Sequence, residues 1–454
     1  MDPGSASLCS APGMTIEQQN CHARGASGER VQSPLFRLPM ASLSLLPSRL
    51  LTRNWRVPAV IVLCGCLISV ISFGPRSSLG FFLTPQSQAN GWGRDVFGLA
   101  LALQNILWGL GQPLAGMLAD RFGVMRVLCV GGIFYALGLA TMAVSTTPLM
   151  LNISAGLLIG FGLAGCSFGI VLSAFGKLLP PRWRSLAFGA GTAAGSFGQL
   201  LYAPLTVSLI DTVGWQETLG IFAAVMLIVL PLSLALATSG TERSTRQSAS
   251  QQSLGQALAE AFGQRSYTLL VLGYFTCGFQ LAFITVHLPA FLVDRGLSIE
   301  VGGWTIAVIG LFNIFGSLAS GWVSNLVPKR YVLSVIYFSR ALAVLAFIIF
   351  PVTAFSSIMF GAVMGLLWLS TIPPTNGIIA VIFGTRWFAT LAGFAFFSHQ
   401  VGGFLGVWLG GVMFERTGSY DAVWWLSILF GLLSAVINLP IVEKPMPRLA
   451  AAAA

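Results

Sequence analysis

Long apolar runs, separated by short breaks rich in Pro, Gly or charged residues, dominate the pattern of this chain. A helix needs ~20 apolar residues to cross the hydrocarbon core of a bilayer, and most of the runs reach that length. A transmembrane β-barrel would instead show strands of ~10 residues with alternating polarity. The pattern predicts an all-α polytopic membrane protein. Its twelve expected transmembrane helices lie near residues 57–83, 96–118, 125–146, 149–175, 186–210, 218–238, 268–292, 302–326, 331–352, 356–382, 387–412 and 422–442.

Composition agrees with this interpretation. Hydrophobic residues make up 55% of the 454 residues and charged residues only 8%, whereas charged residues form roughly 25% of an average soluble domain. The seven cysteines show neither a disulfide framework nor a Cys-x-x-Cys metal pattern. We therefore expect the cysteines to serve packing, and we expect no metal and no cofactor.

The first residues of the chain differ from the rest. Residues 1–54 are rich in Ser, Pro, Gly and Arg and lack the apolar core of a signal peptide. We predict a disordered cytoplasmic tail here. Met1, Met14 and Met40 are alternative starts of the protein.

Polar segments divide the remaining chain into predicted domains. A six-helix bundle is expected over 55–239 and a second over 267–443, followed by a tail over 444–454. Between the bundles, 240–266 reads as a central cytoplasmic loop. Its part from Ser253 onward has the pattern of a short interfacial amphipathic helix.

Basic residues predict the orientation, because cytoplasmic loops of membrane proteins are enriched in Lys and Arg. With twelve spans and the N-terminus inside, the outer loops hold Arg94, Arg295 and Arg416, and most other cations fall on the inner side. Both termini are therefore expected in the cytoplasm. The net charge of +10 then reflects membrane topology and does not indicate a nucleic-acid-binding patch.

Two breaks at equivalent points of the bundles are similar. "GMLADRFGVMR" (116–126) follows the second span and "GWVSNLVPKR" (321–330) follows the eighth. Each begins with Gly, places Asp120 or Asn325 four residues later, and ends in a basic residue. Such internal duplication is typical of secondary transporters, so the two bundles are expected to be pseudo-symmetric.

The first of these breaks closely resembles the cytoplasmic loop signature of the major facilitator superfamily, and the resemblance extends over roughly 55–443. It implies a conformational latch formed by Gly116, Asp120, Arg121, Gly123 and Arg126. Gly116 would permit close helix approach, and Asp120 and Arg121 would bond helix ends and each other. Gly123 would allow the tight turn. Val124 and Met125 occupy positions that are usually basic in the family.

Charges inside the predicted spans favour an anionic substrate. None of the fourteen acidic residues falls in the middle of a span, whereas Arg76 and Arg340 do, together with His287 and His399. A carrier of organic cations or Na⁺ usually needs a buried carboxylate. A buried arginine without a partner is suited to an anion, because the guanidinium binds carboxylates in a forked geometry.

Arg76 is the strongest candidate for the binding charge. Pro75 disturbs the helix just before it, and Ser69 and Ser72 share its helix face. The alternative is that Arg76, ~28 Å from the start of its span, reaches the outer headgroups by snorkelling.

The run "FGPRSSLGFFL" (73–83) also resembles the first span of the monocarboxylate porters. Those carriers place a cation after a proline here to meet the substrate carboxylate, which implies the same role for Arg76. They also carry an Asp and an Arg in span eight, and the related oxalate/formate antiporters rely on that Arg. Here Asn313 and Ser317 stand at those positions, so the usual proton-coupled mechanism is not implied.

Other polar residues of the spans complete the predicted substrate site. Ser72 is included with Arg76, and spans seven, ten and eleven offer Gln280, His287, Asn376, His399 and Gln400. These spans line the cavity in this superfamily, by analogy of fold. His287 and His399 are also candidates for proton coupling, since histidine titrates near neutral pH. For each, hydrogen bonding to a neighbouring helix is the alternative.

Further residues remain open at this stage. Gln104 and Asn105 of span two are possible cavity residues. Arg340 lies in span nine, which is usually peripheral in the fold, and we expect it to face protein carbonyls or hydroxyls because a lipid-facing arginine is costly.

The leading hypothesis is a secondary transporter of a small organic anion, a mono- or dicarboxylate, working by alternating access with proton symport or anion antiport. The alternative is an efflux carrier of neutral or amphipathic compounds on the same fold. An enzyme is not expected, because the spans lack a nucleophile with an acid–base array. We expect a monomer in the plasma or inner membrane.

Overall fold

The computed structural model describes residues 56–238, 253–384 and 387–446, and within these ranges every regular element is a helix. The predicted tail over 1–54 and most of the C-terminal tail lie outside the described residues. The helices are α1 Pro58–Ser78, α2 Leu83–Asn90, α3 Arg94–Phe122, α4 Val124–Ala143, α5 Pro148–Leu151, α6 Ile159–Cys166, α7 Phe168–Leu178, α8 Pro181–Val213, α9 Trp215–Met226, α10 Val229–Ser233, α11 Leu254–Gly263, α12 Arg265–Asp294, α13 Ile299–Leu326, α14 Lys329–Ile349, α15 Ala354–Leu367, α16 Ile372–Phe383, α17 Phe388–Thr417 and α18 Asp421–Asn438.

Among the described residues, ten helical runs are long and apolar enough to cross a membrane. The other two predicted spans correspond to α3 and α17, with 29 and 30 residues. Both have the required length, but glycines and buried amide or imidazole side chains dilute their apolar character. Both helices contribute side chains to the polar site described below.

Buried side chains form two large apolar clusters. One gathers mainly residues of 56–238, here called the N-half, and the other mainly residues of 265–446, here called the C-half. Between the halves, α11 is a short helix whose capping box joins Ser253 and Gln256. Phe262 of α11 packs edge-on against Phe394 of α17, with ring centroids 5.8 Å apart.

The first span is longer than the predicted 57–83. A 3-10 turn over Leu79–Phe82 follows α1, and α2 continues the helix, so that one run covers the 33 residues Pro58–Asn90. Arg76 thus lies near the middle of the run. Snorkelling to an end of the helix is therefore not how this charge is accommodated.

Glycines bring α12 and α17 into direct backbone contact. A Cβ atom on Gly402 would lie 2.0 Å from the carbonyl oxygen of Phe275, and one on Gly406 would lie 2.4 Å from that of Phe279. Lipid supplies no hydrophobic drive for helix association, so close packing of small residues has to hold such helices together. This seam fixes the register between the two helices.

The tenth predicted span is broken between α15 and α16, where a Pro-Pro pair follows the break. In a membrane the freed backbone groups must find partners within the protein. The backbone N–H of Leu369 donates to Asn313 Oδ1 at 3.0 Å. The hydroxyl of Ser320 donates to the carbonyl of Ser370. Asn313 and Ser320 both belong to α13, so α13 stabilises the break.

Arg340 of α14 stabilises the same break in span ten. Its side chain is fully buried, its Nε donates to the carbonyl oxygen of Leu367 at 3.1 Å, and its Nη2 donates to those of Leu367 and Trp368. These carbonyls end α15, where the helix dipole is negative. The expectation that Arg340 faces backbone carbonyls matches this geometry, and its role is to stabilise the broken helix.

We predict that Arg340→Met lowers the free energy of unfolding by about 2 kcal/mol, because it leaves two buried carbonyls without a charged donor. Thermal unfolding of the purified protein in detergent measures the change. Arg295→Met is the matched control, since Arg295 makes a long, exposed ion pair of 3.7 Å with Asp421, and such pairs contribute little. Equal melting temperatures for the two variants would refute the assignment.

Candidate functional site

The Arg76 side chain has one hydrogen-bond partner among the described residues. Its Nη2 donates to Asn105 Oδ1 of α3 at 3.1 Å, and its Nε is buried without an acceptor. Asn105 turns this oxygen toward Arg76 because its own Nδ2 donates to the carbonyl of Leu101 at 2.8 Å. The amide is neutral, so it orients the guanidinium without cancelling its charge.

Aromatic rings flank the guanidinium. Its carbon lies 4.7 Å from the ring centroid of Trp108 and 5.7 Å from that of Phe73. The indole N–H of Trp108 donates to Gln112 Oε1 at 3.0 Å, and Gln112 in turn donates to the hydroxyl of Ser167 at 2.8 Å. Trp108 is therefore held in place by its polar edge.

A series of ring contacts leads from Arg76 into the C-half. Trp108 meets Phe396 edge-on with centroids 5.3 Å apart, and Phe396 stacks on His399 at 5.8 Å with an angle of 10° between the rings. His399 in turn contacts Tyr274 of α12 at 5.1 Å. Rings from both halves thus join Arg76 to His399.

Gln400 lies in the same region. A Cβ atom on Gly109 of α3 would lie 2.8 Å from the Cβ of Gln400, and the Gln400 Oε1 atom lies 3.2 Å from His399 Nδ1. Of the residues predicted for the site, the structure therefore places His399 and Gln400 where α17 meets α3, the helix whose Trp108 flanks Arg76. Trp108 and Phe396 were not predicted, because no charge or motif in the sequence distinguishes them from lipid-facing aromatics.

Gln280 and His287 belong to a different environment. The Gln280 amide donates to the carbonyl of Ser427 in α18 at 2.9 Å, and His287 Nε2 lies 2.8 Å from the carbonyl of Val407. The His287 ring packs against Phe283 and Tyr420. Neither side chain contacts Arg76 or the rings beside it, so the structure favours the alternative in which they bond to neighbouring helices.

The two remaining predicted site residues are also apart from the guanidinium. The hydroxyl of Ser72 donates to the carbonyl of Ser69 in its own helix at 3.4 Å. Asn376 is half-buried in the first turn after the break of span ten. It makes no hydrogen bond within the described part of the chain.

The predicted latch forms with different partners. Asp120 pairs with Lys177 of α7 at 2.7 Å, not with the neighbouring Arg121, whose guanidinium lies 5.1 Å from the ring centroid of Phe122. Arg126 donates to the carbonyl of Phe122 at 3.3 Å. The latch thus ties α3 to α7 within the N-half.

The two latch glycines differ. Gly123 has a φ of 91°, which L-residues rarely adopt, and this makes the tight turn between α3 and α4 possible. A Cβ atom on Gly116 would meet no atom within 4 Å. The prediction that Gly116 permits close helix approach is therefore wrong for this conformation.

The opposite end of the bundle joins the two halves through Arg94. Its guanidinium bonds both carboxylate oxygens of Asp294, at 2.5 and 2.7 Å, and the hydroxyl of Tyr420 at 2.9 Å. Its backbone N–H donates to Glu415 at 2.7 Å. By contrast, the Asp120–Lys177 and Lys329–Glu443 pairs each remain within one half. The Arg94 end is therefore the tied end of the structure.

These positions can hold an anion between the halves. Arg76 supplies fixed positive charge, and the described residues give it no carboxylate partner. No group of three or more metal-ligating side chains occurs in the described ranges.

Comparisons with known proteins agree with the fold. The Major Facilitator Superfamily model matches residues 65–407. The uncharacterized MFS-type transporter YcxA of Bacillus subtilis is 30% identical over 379 residues, which cover 81% of this chain and 91% of YcxA. Human monocarboxylate transporter 11 is 27% identical over 90% of this chain and 87% of its own. A solved structure of a bacterial homologue of the human lysosomal transporter Spinster, inward-facing and occupied, gives a TM-score of 0.69 at 15% identity, covering 86% of this chain and 98% of that chain.

We predict that Asp294→Asn loosens the Arg94 end. Loss of this pair should lower the ratio of forms closed at the Arg94 end to forms open there by about fivefold. This change corresponds to about 1 kcal/mol. Double electron–electron resonance can measure the distance between spin labels at Gln88 and Thr417 in a cysteine-free background. The variant should show a larger fraction of long distances than the unmodified protein. Asp421→Asn is the control because its partner Arg295 lies in the same half. Identical distance distributions in the two variants would contradict a role for the Arg94–Asp294 pair.

Proposed function

The chain belongs to the major facilitator superfamily, and from this premise we propose that it carries a small organic anion with a carboxylate group by alternating access. The family and the matched relatives are transporters, so the protein is a multi-pass membrane transporter and not an enzyme. Several relatives are named monocarboxylate transporters, which supports a carboxylate as the substrate.

The observation that carries the proposal is the unmatched charge of Arg76. Each of the two arginines inside the membrane needs acceptors, because an isolated charge in hydrocarbon is costly. Arg340 has the carbonyls of a helix end, whereas Arg76 has one amide oxygen. A substrate carboxylate would supply the missing charge and accept hydrogen bonds from the free donors.

The location of this charge suits alternating access. Arg76, Asn105 and Trp108 belong to the N-half, while Phe396 and His399 belong to the C-half. A substrate held between them contacts both halves, so its binding can favour one arrangement of the halves over another. In the cycle we propose, breaking the Arg94–Asp294 tie opens the Arg94 end.

For transport coupled to a proton, we propose that His399 carries the proton. His399 lies in the ring series that reaches Arg76, whereas His287 is bound to a backbone carbonyl in another layer. Exchange of one anion for another needs no protonation and remains the second mechanism.

We assign the protein to the cell membrane with twelve spans, α3 and α17 included, and both termini in the cytoplasm. The distribution of Lys and Arg supports this orientation, and it makes the Arg94 end the outer end. The site lies between the two halves of one chain, which supports a functional monomer.

We predict that Arg76→Gln abolishes carboxylate binding and uptake, because the variant keeps the side chain polar but removes its charge. Losing one partner of a buried charge pair costs about 2–5 kcal/mol, so affinity should fall by at least about thirtyfold. Thermal stabilisation of purified protein by a panel of carboxylates measures binding, and uptake of labelled carboxylates into proteoliposomes measures transport.

Arg416→Gln is the matched control, since Arg416 lies at the far end of α17 and should leave binding unchanged. Arg76→Lys should retain part of the affinity, because lysine keeps the charge without the fork. Unchanged uptake in Arg76→Gln would overturn the anion proposal and favour efflux of neutral or amphipathic compounds.

A further inference from the structure

We infer that the preferred anion is an aryl monocarboxylate, with one carboxylate bound to Arg76 and a planar apolar body against Trp108 and Phe396. The inference rests on the proposed function and narrows its substrate class. It depends on three properties of the site: the aromatic rings beside the charge, the number of charges, and the pairing of the nearby amides.

The surface beside the guanidinium is aromatic on both sides of the site. Trp108 and Phe73 flank Arg76 in the N-half, and Phe396 continues from Trp108 into the C-half. Aromatic rings prefer edge-to-face or offset contacts with other rings. A planar substrate bound at Arg76 would make such contacts, whereas a short aliphatic acid would not.

The charge of the site matches one carboxylate. Arg340 is engaged by the carbonyls of Leu367 and Trp368, and the Arg94 guanidinium is engaged by Asp294. Among the described residues, Arg76 is the arginine whose guanidinium lies over Trp108 and Phe73. A second carboxylate on the substrate would therefore be buried without a counter-charge, which is strongly unfavourable.

Several amides near the middle of the spans already have partners, whereas the Gln400 Nε2 group is buried without one. Gln104 donates to the carbonyl of Ala155 at 2.9 Å, Gln112 to Ser167, and Asn313 to Ser196 at 2.8 Å. Asn105 bonds both Leu101 and Arg76. A hydroxyl-rich substrate would find the free donor of Gln400 here and would otherwise have to break these bonds, whereas an aryl body leaves them intact.

Calorimetric titration with four matched compounds tests the inference. Phenylacetate is the probe, and cyclohexylacetate has the same size without the planar ring. Homophthalate adds a second carboxylate, and phenylacetamide removes the charge. Binding is measured because phenylacetic acid crosses bilayers unaided.

Phenylacetate should bind about two- to tenfold more tightly than cyclohexylacetate, the range expected for aromatic contacts. Homophthalate should bind at least about tenfold more weakly, and phenylacetamide should not bind measurably. Trp108→Leu should remove the preference for phenylacetate over cyclohexylacetate while cyclohexylacetate still binds. Trp322→Leu, which alters an exposed tryptophan of α13, should leave the preference unchanged.

The outcomes separate this inference from the proposed function. If cyclohexylacetate or homophthalate binds as tightly as phenylacetate and Arg76→Gln abolishes all binding, the aryl inference is wrong and the anion proposal stands. If phenylacetamide binds as well as phenylacetate, both are wrong. Bound cyclohexylacetate shows that Trp108→Leu is folded, and Trp108→Phe should restore the preference.

Discussion

A charge inside a membrane has to be compensated by the protein or by what the protein binds, and this requirement organises the structure. The two arginines within the spans meet it differently. The Arg340 guanidinium donates hydrogen bonds to the carbonyls where α15 ends. It thereby stabilises a broken helix inside the membrane. Arg76 is held by Asn105 and by aromatic rings, none of which carries negative charge. The first arginine donates three hydrogen bonds to backbone carbonyls and keeps only its Nη1 without a partner, whereas we propose that the second is completed by an anion.

Packing explains why the incomplete charge lies where two halves meet. Glycines let α12 and α17 approach backbone to backbone, and this fixes the positions from which Phe396 and Gln400 face α3. Trp108 is fixed from the other side through Gln112 and Ser167. The walls of the site are thus rigid within each half. Between the halves, the ion pair of Arg94 and Asp294 is at one end, where a modest change in free energy can shift the arrangement.

The sequence predicted the helices and drew attention to Arg76, because span length, missing acids and the residues around Arg76 are all local features. It did not predict which side chains meet. Gln280 and His287 share a helix face, yet that face turns toward the carbonyls of Ser427 and Val407. Trp108 became part of the site only through its neighbours. The partners of the latch residues could not be predicted from the sequence either. Asp120 pairs with Lys177, 57 positions away, and not with the adjacent Arg121. The local sequence determines where a helix forms. The rotation of a helix about its own axis, and hence which side chains face the site, depends on the helices that pack against it.

The central claim is that Arg76 binds the carboxylate of the transported anion. A crystal structure with 4-bromobenzoate tests it most directly, because anomalous scattering from bromine locates and orients the ligand. We predict the carboxylate oxygens about 2.7–2.9 Å from the Arg76 guanidinium nitrogens, with the bromine directed away from them. A ligand bound elsewhere, for example beside His287 and Gln280, with Arg76 bonded to Asn105 alone, would contradict this assignment.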